Sequence, residues 1–150
     1  MTSSISNILT PQRTLMGAQC SSKKRLLEFI SNFLCEQIED SQADDIYERL
    51  IAREKLGSTA IGEGIAIPHS RLSECTDTLG ALFVLQDPID FDSIDRKPVD
   101  IVFVLLVPAE ATEQHLQTLS MLAQKFNEED FRQSLRSAQN SEELFKLATA

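Results

Sequence analysis

Basic charge is what this chain lacks most. Its 14 lysines and arginines stand against 23 acidic residues, for a formal net charge of −9. A nucleic-acid surface neutralises phosphates with clustered cations, so the balance argues against that class. An acidic surface suits a basic protein partner instead. Long apolar runs are missing too: IVFVLLV at 101–107 is strand-sized, far below the roughly 20 residues that cross a bilayer. No membrane insertion is expected. The opening MTSSISNILTPQRTL has no basic segment leading into a long apolar one, so it does not read as a secretory signal. Cys20, Cys35 and Cys75 are odd in number and lack C-x-x-C spacing, which argues against a disulfide framework and a structural zinc site. A reducing, cytoplasmic setting fits best.

What remains suits one domain. The 150 residues are 42% hydrophobic, enough for a single sizeable core. Residues 1–20 form an N-terminal segment expected to be loosely ordered, and residues 21–150 the folded domain. From Ser22 the stretch SKKRLLEFISNFLCEQI carries Leu26, Ile30, Phe33, Leu34 and Ile38 at helical spacing, with Ser21 or Ser22 as N-cap. A second helix is predicted from near Ser41 through DDIYERLIAREKL, with acidic residues at its start, basic ones at its end and Gly57 as the stop. LGALFVLQ and VDIVFVLLV read as strands, the latter apolar throughout as a strand covered on both faces would be. Thr112 is placed to cap a helix from Glu113 to Phe126 with Leu116, Leu119, Leu122, Ala123 and Phe126 inward. A short helix around Asp130–Arg136 and a last one opened by the capping box Asn140-x-x-Glu143 complete the pattern. The predicted architecture is α/β: a three-layer α/β/α sandwich with a central mixed β-sheet flanked by helices.

Three of the five glycines fall in GSTAIGEGIAIPHSRL at 57–72, which also places one of only two histidines directly behind a proline. Gly57, Gly62 and Gly64 free the backbone for positive φ or close approach, while Pro68 fixes its own φ and favours an extended Ile67. Such a loop holds the His69 imidazole in one orientation, although a single glycine more often only makes a turn, and a lone histidine more often packs or faces solvent. His115 falls in the first turn of its predicted helix, where the dipole favours an anion and a neutral imidazole; the plainer reading is an exposed polar side chain. Arg53, four residues before Gly57, either points toward the same loop or is a solvated helix end. Two imidazoles with Glu63 lack the i, i+4 pair or HExxH helix of a zinc site. Ser58 and Ser70 lie in no G-x-S-x-G elbow, and no GxxxxGK[ST] loop exists. The remaining chemistry is a histidine nucleophile that takes and gives a phosphoryl group, with Arg53 and backbone N–H groups stabilising the equatorial oxygens. It needs no metal and no cofactor.

Across residues 20 to 147, through SKKRLLEFIS, REKLGST, IAIPH, FDSIDRKPVDIVFVLLVPA and HLQTLSMLA, the sequence resembles the mannitol/fructose-class (type-2) EIIA proteins of the bacterial phosphoenolpyruvate phosphotransferase system, and within them the nitrogen-regulatory branch. The resemblance implies that His69 is the phosphorylated residue and that Arg53 and His115 line its pocket. Ser58, Thr59, Gly62, Glu63, Gly64, Pro68 and Ser70 would form the surrounding loop. It implies a histidine-phosphorylated carrier, NPr or HPr, as donor. Regulated targets would be of the potassium-transport or sensor-kinase kind. The alternative is a sugar-specific IIA component passing phosphate to a IIB domain for fructose or mannitol uptake; the absence of a transmembrane region and of an attached second domain favours the regulator. Two departures stand out, Ala60 and Ser70, where the family usually has glycine. If either position needs positive φ, the loop must rearrange. Ser70 could instead lend its hydroxyl to the phosphoryl oxygens.

Overall fold

The computed structural model describes residues 4–110 and 113–150; the N-cap expected at Thr112 lies outside the described residues. Among the described residues, six strands and five α-helices follow one another as β1 (Thr14–Ala18), α1 (Lys23–Cys35), α2 (Ala43–Lys55), β2 (Ala60–Gly62), β3 (Ile65–Ala66), β4 (His69–Arg71), β5 (Leu79–Ile89), β6 (Val99–Val107), α3 (Glu113–Phe126), α4 (Glu129–Arg136) and α5 (Ser141–Thr149). The sheet runs β1-β5-β6-β3-β2, with β4 also on β6. β5 and β6 are antiparallel, whereas β1 on β5 and both β3 and β4 on β6 are parallel. The sheet is therefore mixed, with helices on both faces.

β6 is apolar throughout because both its faces are covered. Ile101, Phe103, Leu105 and Val107 pack with Leu122, Phe126, Leu135 and Leu144 from α3, α4 and α5. The intervening Val102, Val104 and Leu106 pack with Leu26, Ile30, Leu34, Ile46 and Leu50 from α1 and α2. The period of two along an extended chain thus divides one strand between two cores. Local signals set the helix ends. Ser22 accepts a hydrogen bond from the backbone N–H of Arg25, and Asn140 accepts one from Glu143 N–H while the Glu143 carboxylate accepts from Gln139 N–H.

Two sequence expectations are corrected. Within the first twenty residues, expected to be loose, Ile5, Ile8 and Leu9 are buried and Thr14–Ala18 form an edge strand on β5. Arg13 fixes this segment by donating to the carbonyls of Gly80 and Ile8. Leu116, expected to point inward with the rest of its stripe, is 65% exposed, on the side of α3 away from the His115 ring that packs on His69.

Candidate functional site

β3 and β4 lie one after the other along the same side of β6, with Ile67 and Pro68 as the break between them. Ile65 pairs with Ile101, and His69 with Leu105. Pro68 has no N–H to lose at the break, and its carbonyl still accepts from Leu105 N–H at 2.9 Å. The Ile67 N–H turns the other way, to the carbonyl of Thr59 at 3.0 Å. His69 therefore begins β4 from a backbone held on both sides.

Its ring is held as firmly. Nδ1 lies 2.8 Å from the Ile67 carbonyl. A carbonyl only accepts, so Nδ1 carries the proton and Nε2 keeps its lone pair. The Arg53 Nε–H, from the last turn of α2, donates to that Nε2 at 3.2 Å, while Arg53 Nη1 donates to the Gly57 carbonyl at 2.9 Å. From the opposite layer, α3 brings the His115 ring to 5.6 Å between centroids, at 52° to the His69 ring. His115 Nδ1 is buried without a hydrogen-bond partner, which favours the tautomer with the proton on Nε2, since the other would bury an unpaired N–H.

Both rings are neutral near pH 7. Burial pushes His69 below its ordinary value; the Ile67 carbonyl opposes the shift, Arg53 adds to it and Glu54 opposes it. Burial also lowers His115, helped by His69 and by Arg71. The result is an unprotonated ring nitrogen facing a guanidinium, flanked by a second neutral imidazole. Such a nitrogen can act as a nucleophile toward an electrophile that brings negative oxygens, and the Arg53 guanidinium is placed to serve as counter-charge. Among the described residues there is no cluster of three or more His, Cys, Asp or Glu side chains able to hold a metal ion.

Of the residues singled out in the sequence, His69, Arg53, His115 and Pro68 come together. The rest of the loop takes other roles. Ser58 donates to the Phe91 carbonyl, and Thr59 turns its hydroxyl onto the buried Glu54 carboxylate. Gly62, Glu63 and Gly64 form the β2–β3 turn, beside Ile65 rather than His69. At roughly 3.3 Å per residue that is on the order of 13 Å away along β6, a correction to their expected place in the pocket. Arg136 clasps this turn, donating to the Glu63 carbonyl and the Asp100 carboxylate, and Lys97 meets the Glu63 side chain at 3.5 Å. Ser70 donates to the Arg71 carbonyl at 3.2 Å and alternates to the face opposite His69. Neither Ala60 nor Ser70 has positive φ, so the two departures from glycine require no rearrangement.

The sequence reading missed Arg71 and the pair Lys23–Glu54. Arg71 had a signal: two residues after His69 on one strand, it shares the face of the imidazole. Glu54 had none, because the charged triplet Arg53-Glu54-Lys55 reads as a solvated helix end, whereas the Glu54 side chain is 3% exposed.

A mixed sheet between helix layers carries the oriented, neutral His69 imidazole on a short strand beside β6. Residues 7–149 match the family described as phosphoenolpyruvate-dependent sugar phosphotransferase system, EIIA 2, and the chain belongs to that family. It is similar to the nitrogen regulatory protein of Pseudomonas aeruginosa, 48% identical over 143 residues covering 95% of this chain and 93% of the relative. The nitrogen regulatory protein of Escherichia coli is 44% identical over 146 residues, 97% of this chain and 89% of that one. A crystal structure of nitrogen regulatory protein IIA-Ntr from Neisseria meningitidis superposes with a TM-score of 0.90 at 40% identity, over 97% of this chain and 99% of the other. The mannitol IIA protein of Escherichia coli shares the fold at 18% identity, with a TM-score of 0.77 over 93% and 98% of the two chains.

Proposed function

We propose that this protein is a cytoplasmic phosphohistidine carrier whose phosphorylation state regulates partner proteins. One observation carries the reading: the His69 Nδ1–H is spent on the Ile67 carbonyl, which leaves the Nε2 lone pair directed at Arg53. A phosphocarrier protein of the NPr or HPr kind presents a phosphohistidine. The Nε2 pair of His69 attacks its phosphorus, a new N–P bond forms, and the old N–P bond breaks with its electron pair returning to the donor imidazole. No proton must leave His69, because Nε2 bears none. Arg53 moves from the bare nitrogen to the arriving oxygens, and His115 supplies an Nε2–H to the same oxygens.

Leu56 and Leu116, 83% and 65% exposed, follow Arg53 and His115 closely in the sequence and are apolar side chains that a docking partner could cover. Phosphorylation places about two negative charges at His69, enough to change which partner the site accepts. The relatives named nitrogen regulatory protein favour a regulatory output over transfer to a sugar-specific IIB domain. Incubation with phosphoenolpyruvate and the upstream carriers tests the chemistry: the mass should rise by one phosphoryl group in the wild type and not in His69→Ala. A pull-down comparing wild type, His69→Ala and His69→Asp tests the output; an unchanged partner set across the three would refute regulation by phosphate at this position.

A further inference from the structure

The most buried charged side chain beside the site takes no part in the transfer just described. Glu54, at the end of α2, accepts from the backbone N–H of Thr59 at 3.1 Å and from the Thr59 hydroxyl. Its other partner is Lys23 Nζ at 3.0 Å. Lys23 opens α1, whose first turn holds Lys23, Lys24 and Arg25 and no acidic residue, against the preference of a helix N-terminus for negative charge. Lys23 also reaches Asp92 at 3.6 Å and covers the Phe91 ring. A cation placed where its own helix disfavours it, paired with a carboxylate withdrawn from water, is a poor arrangement for stability alone, since apolar side chains of like volume usually serve a core as well or better. Local rules are broken most readily where a site needs a fixed geometry.

We infer that Glu54, clamped by Lys23, is the positioning residue for the phosphoryl acceptor, fixing the His69 tautomer and the Arg53 guanidinium at the same time. The inference rests on the proposed role of His69. Two short routes leave the one carboxylate. Along the first, Glu54 holds Thr59, the Thr59 carbonyl takes the Ile67 N–H, and the Ile67 carbonyl takes the His69 Nδ1–H. Each step is a hydrogen bond of 2.8 to 3.1 Å, so a shift of Thr59 moves the carbonyl that decides which ring nitrogen is free. Along the second, the carboxylate ties the end of α2 to the loop that follows, in the turn from which Arg53 reaches both Gly57 and His69. Lys23 keeps the carboxylate in its buried place. Nucleophile and counter-charge thus take their register from one group.

The double variant Lys23→Met/Glu54→Leu removes the clamp while filling its volume, and Glu54→Gln keeps an acceptor for Thr59. Nitrogen-15 NMR of the unphosphorylated protein reports the His69 tautomer directly. The wild type and Glu54→Gln should show a single Nδ1–H form, and the double variant a mixture of both tautomers. Phosphoryl uptake by the double variant should fall about tenfold or more, as expected when a reacting group loses its fixed placement, while its melting temperature stays near that of the wild type. Thr59→Val, which removes only the hydroxyl contact, should fall between. A pure Nδ1–H tautomer and a native uptake rate in the double variant would overturn the inference, leaving the pair a structural one. Should the double variant fail to fold, Thr59→Val decides by the same two readouts. If the wild type accepts no phosphoryl group, the proposed function fails, yet the tautomer populations still settle whether Glu54 positions His69.

Discussion

Two imidazoles set how the site responds to pH. His69 and His115 both titrate below the ordinary imidazole value of 6.5, so the folded protein holds fewer protons than the unfolded chain as pH drops through that value. The stability these rings allow is complete above 6.5 and declines as pH falls toward the lower folded values. The proposed nucleophile follows the same sign. Phosphoryl uptake by His69 should be flat from pH 8 down to about 6.5 and fall only below it, with a midpoint under 6.5, as measured by initial rates across that range. A midpoint above 6.5 would contradict the burial that sets the shift. Arg53→Lys retains the charge but loses the planar Nε–H that meets Nε2 and the second donor that meets Gly57. Uptake should drop by about tenfold to a hundredfold at unchanged melting temperature, a split visible by comparing rate with thermal unfolding.

The β2–β3 turn shows how position in the sequence and position in the fold diverge. Gly64 has φ +81°, and a Cβ there would fall 2.5 Å from Arg136 Nη2 and 2.9 Å from Asp100 Oδ1. Gly64→Ala should therefore cost about 1–3 kcal/mol in urea unfolding, while uptake per folded molecule stays native because the turn is remote from His69. A matching loss of uptake would return Gly62, Glu63 and Gly64 to the pocket where the sequence first suggested them. That suggestion treated neighbours in the chain as neighbours in space, but an extended backbone carries its residues apart at about 3.3 Å each. Elements with several agreeing signals were legible: α1 through its Ser22 cap and apolar stripe, β6 through its unbroken hydrophobic run, α5 through its capping box. β3 and β4, of two and three residues, offer no periodicity to detect and exist only because β6 is there to pair with. Leu116 continued its stripe in sequence past the point where anything covers it. His69 stood out because a Pro-His pair carries chemical meaning locally, Arg53 was open between the loop and a solvated helix end until the fold set its Nε–H on His69, and Glu54 becomes visible only once α1 is packed beside it.

For the whole molecule, the N-terminal segment decides whether the second core is closed. Ile5, Ile8 and Leu9 are 5%, 8% and 3% exposed and pack in the cluster that holds Phe103, Leu122 and Leu144. Full burial of each such side chain contributes about 1.5–3 kcal/mol, an upper bound given a compact unfolded state, set against a total of about 5–15 kcal/mol for a typical domain. β1 adds a parallel strand to β5, and Gly80 N–H reaches back to the Ile8 carbonyl at 2.8 Å. A variant starting at Gln19 would lose the strand, the three apolar side chains and both Arg13 hydrogen bonds together. It should melt far below the wild type or fail to fold, with near-ultraviolet circular dichroism lost before the far-ultraviolet signal. β1 is separated from β4 by both β5 and β6, so truncation has no direct route to the site. Uptake at His69 should therefore fall in step with the folded fraction across a temperature series. A truncated protein as stable as the wild type would show that the segment rests on the core without supporting it, and one that stayed folded but lost uptake would reveal a link across the sheet that these contacts do not contain.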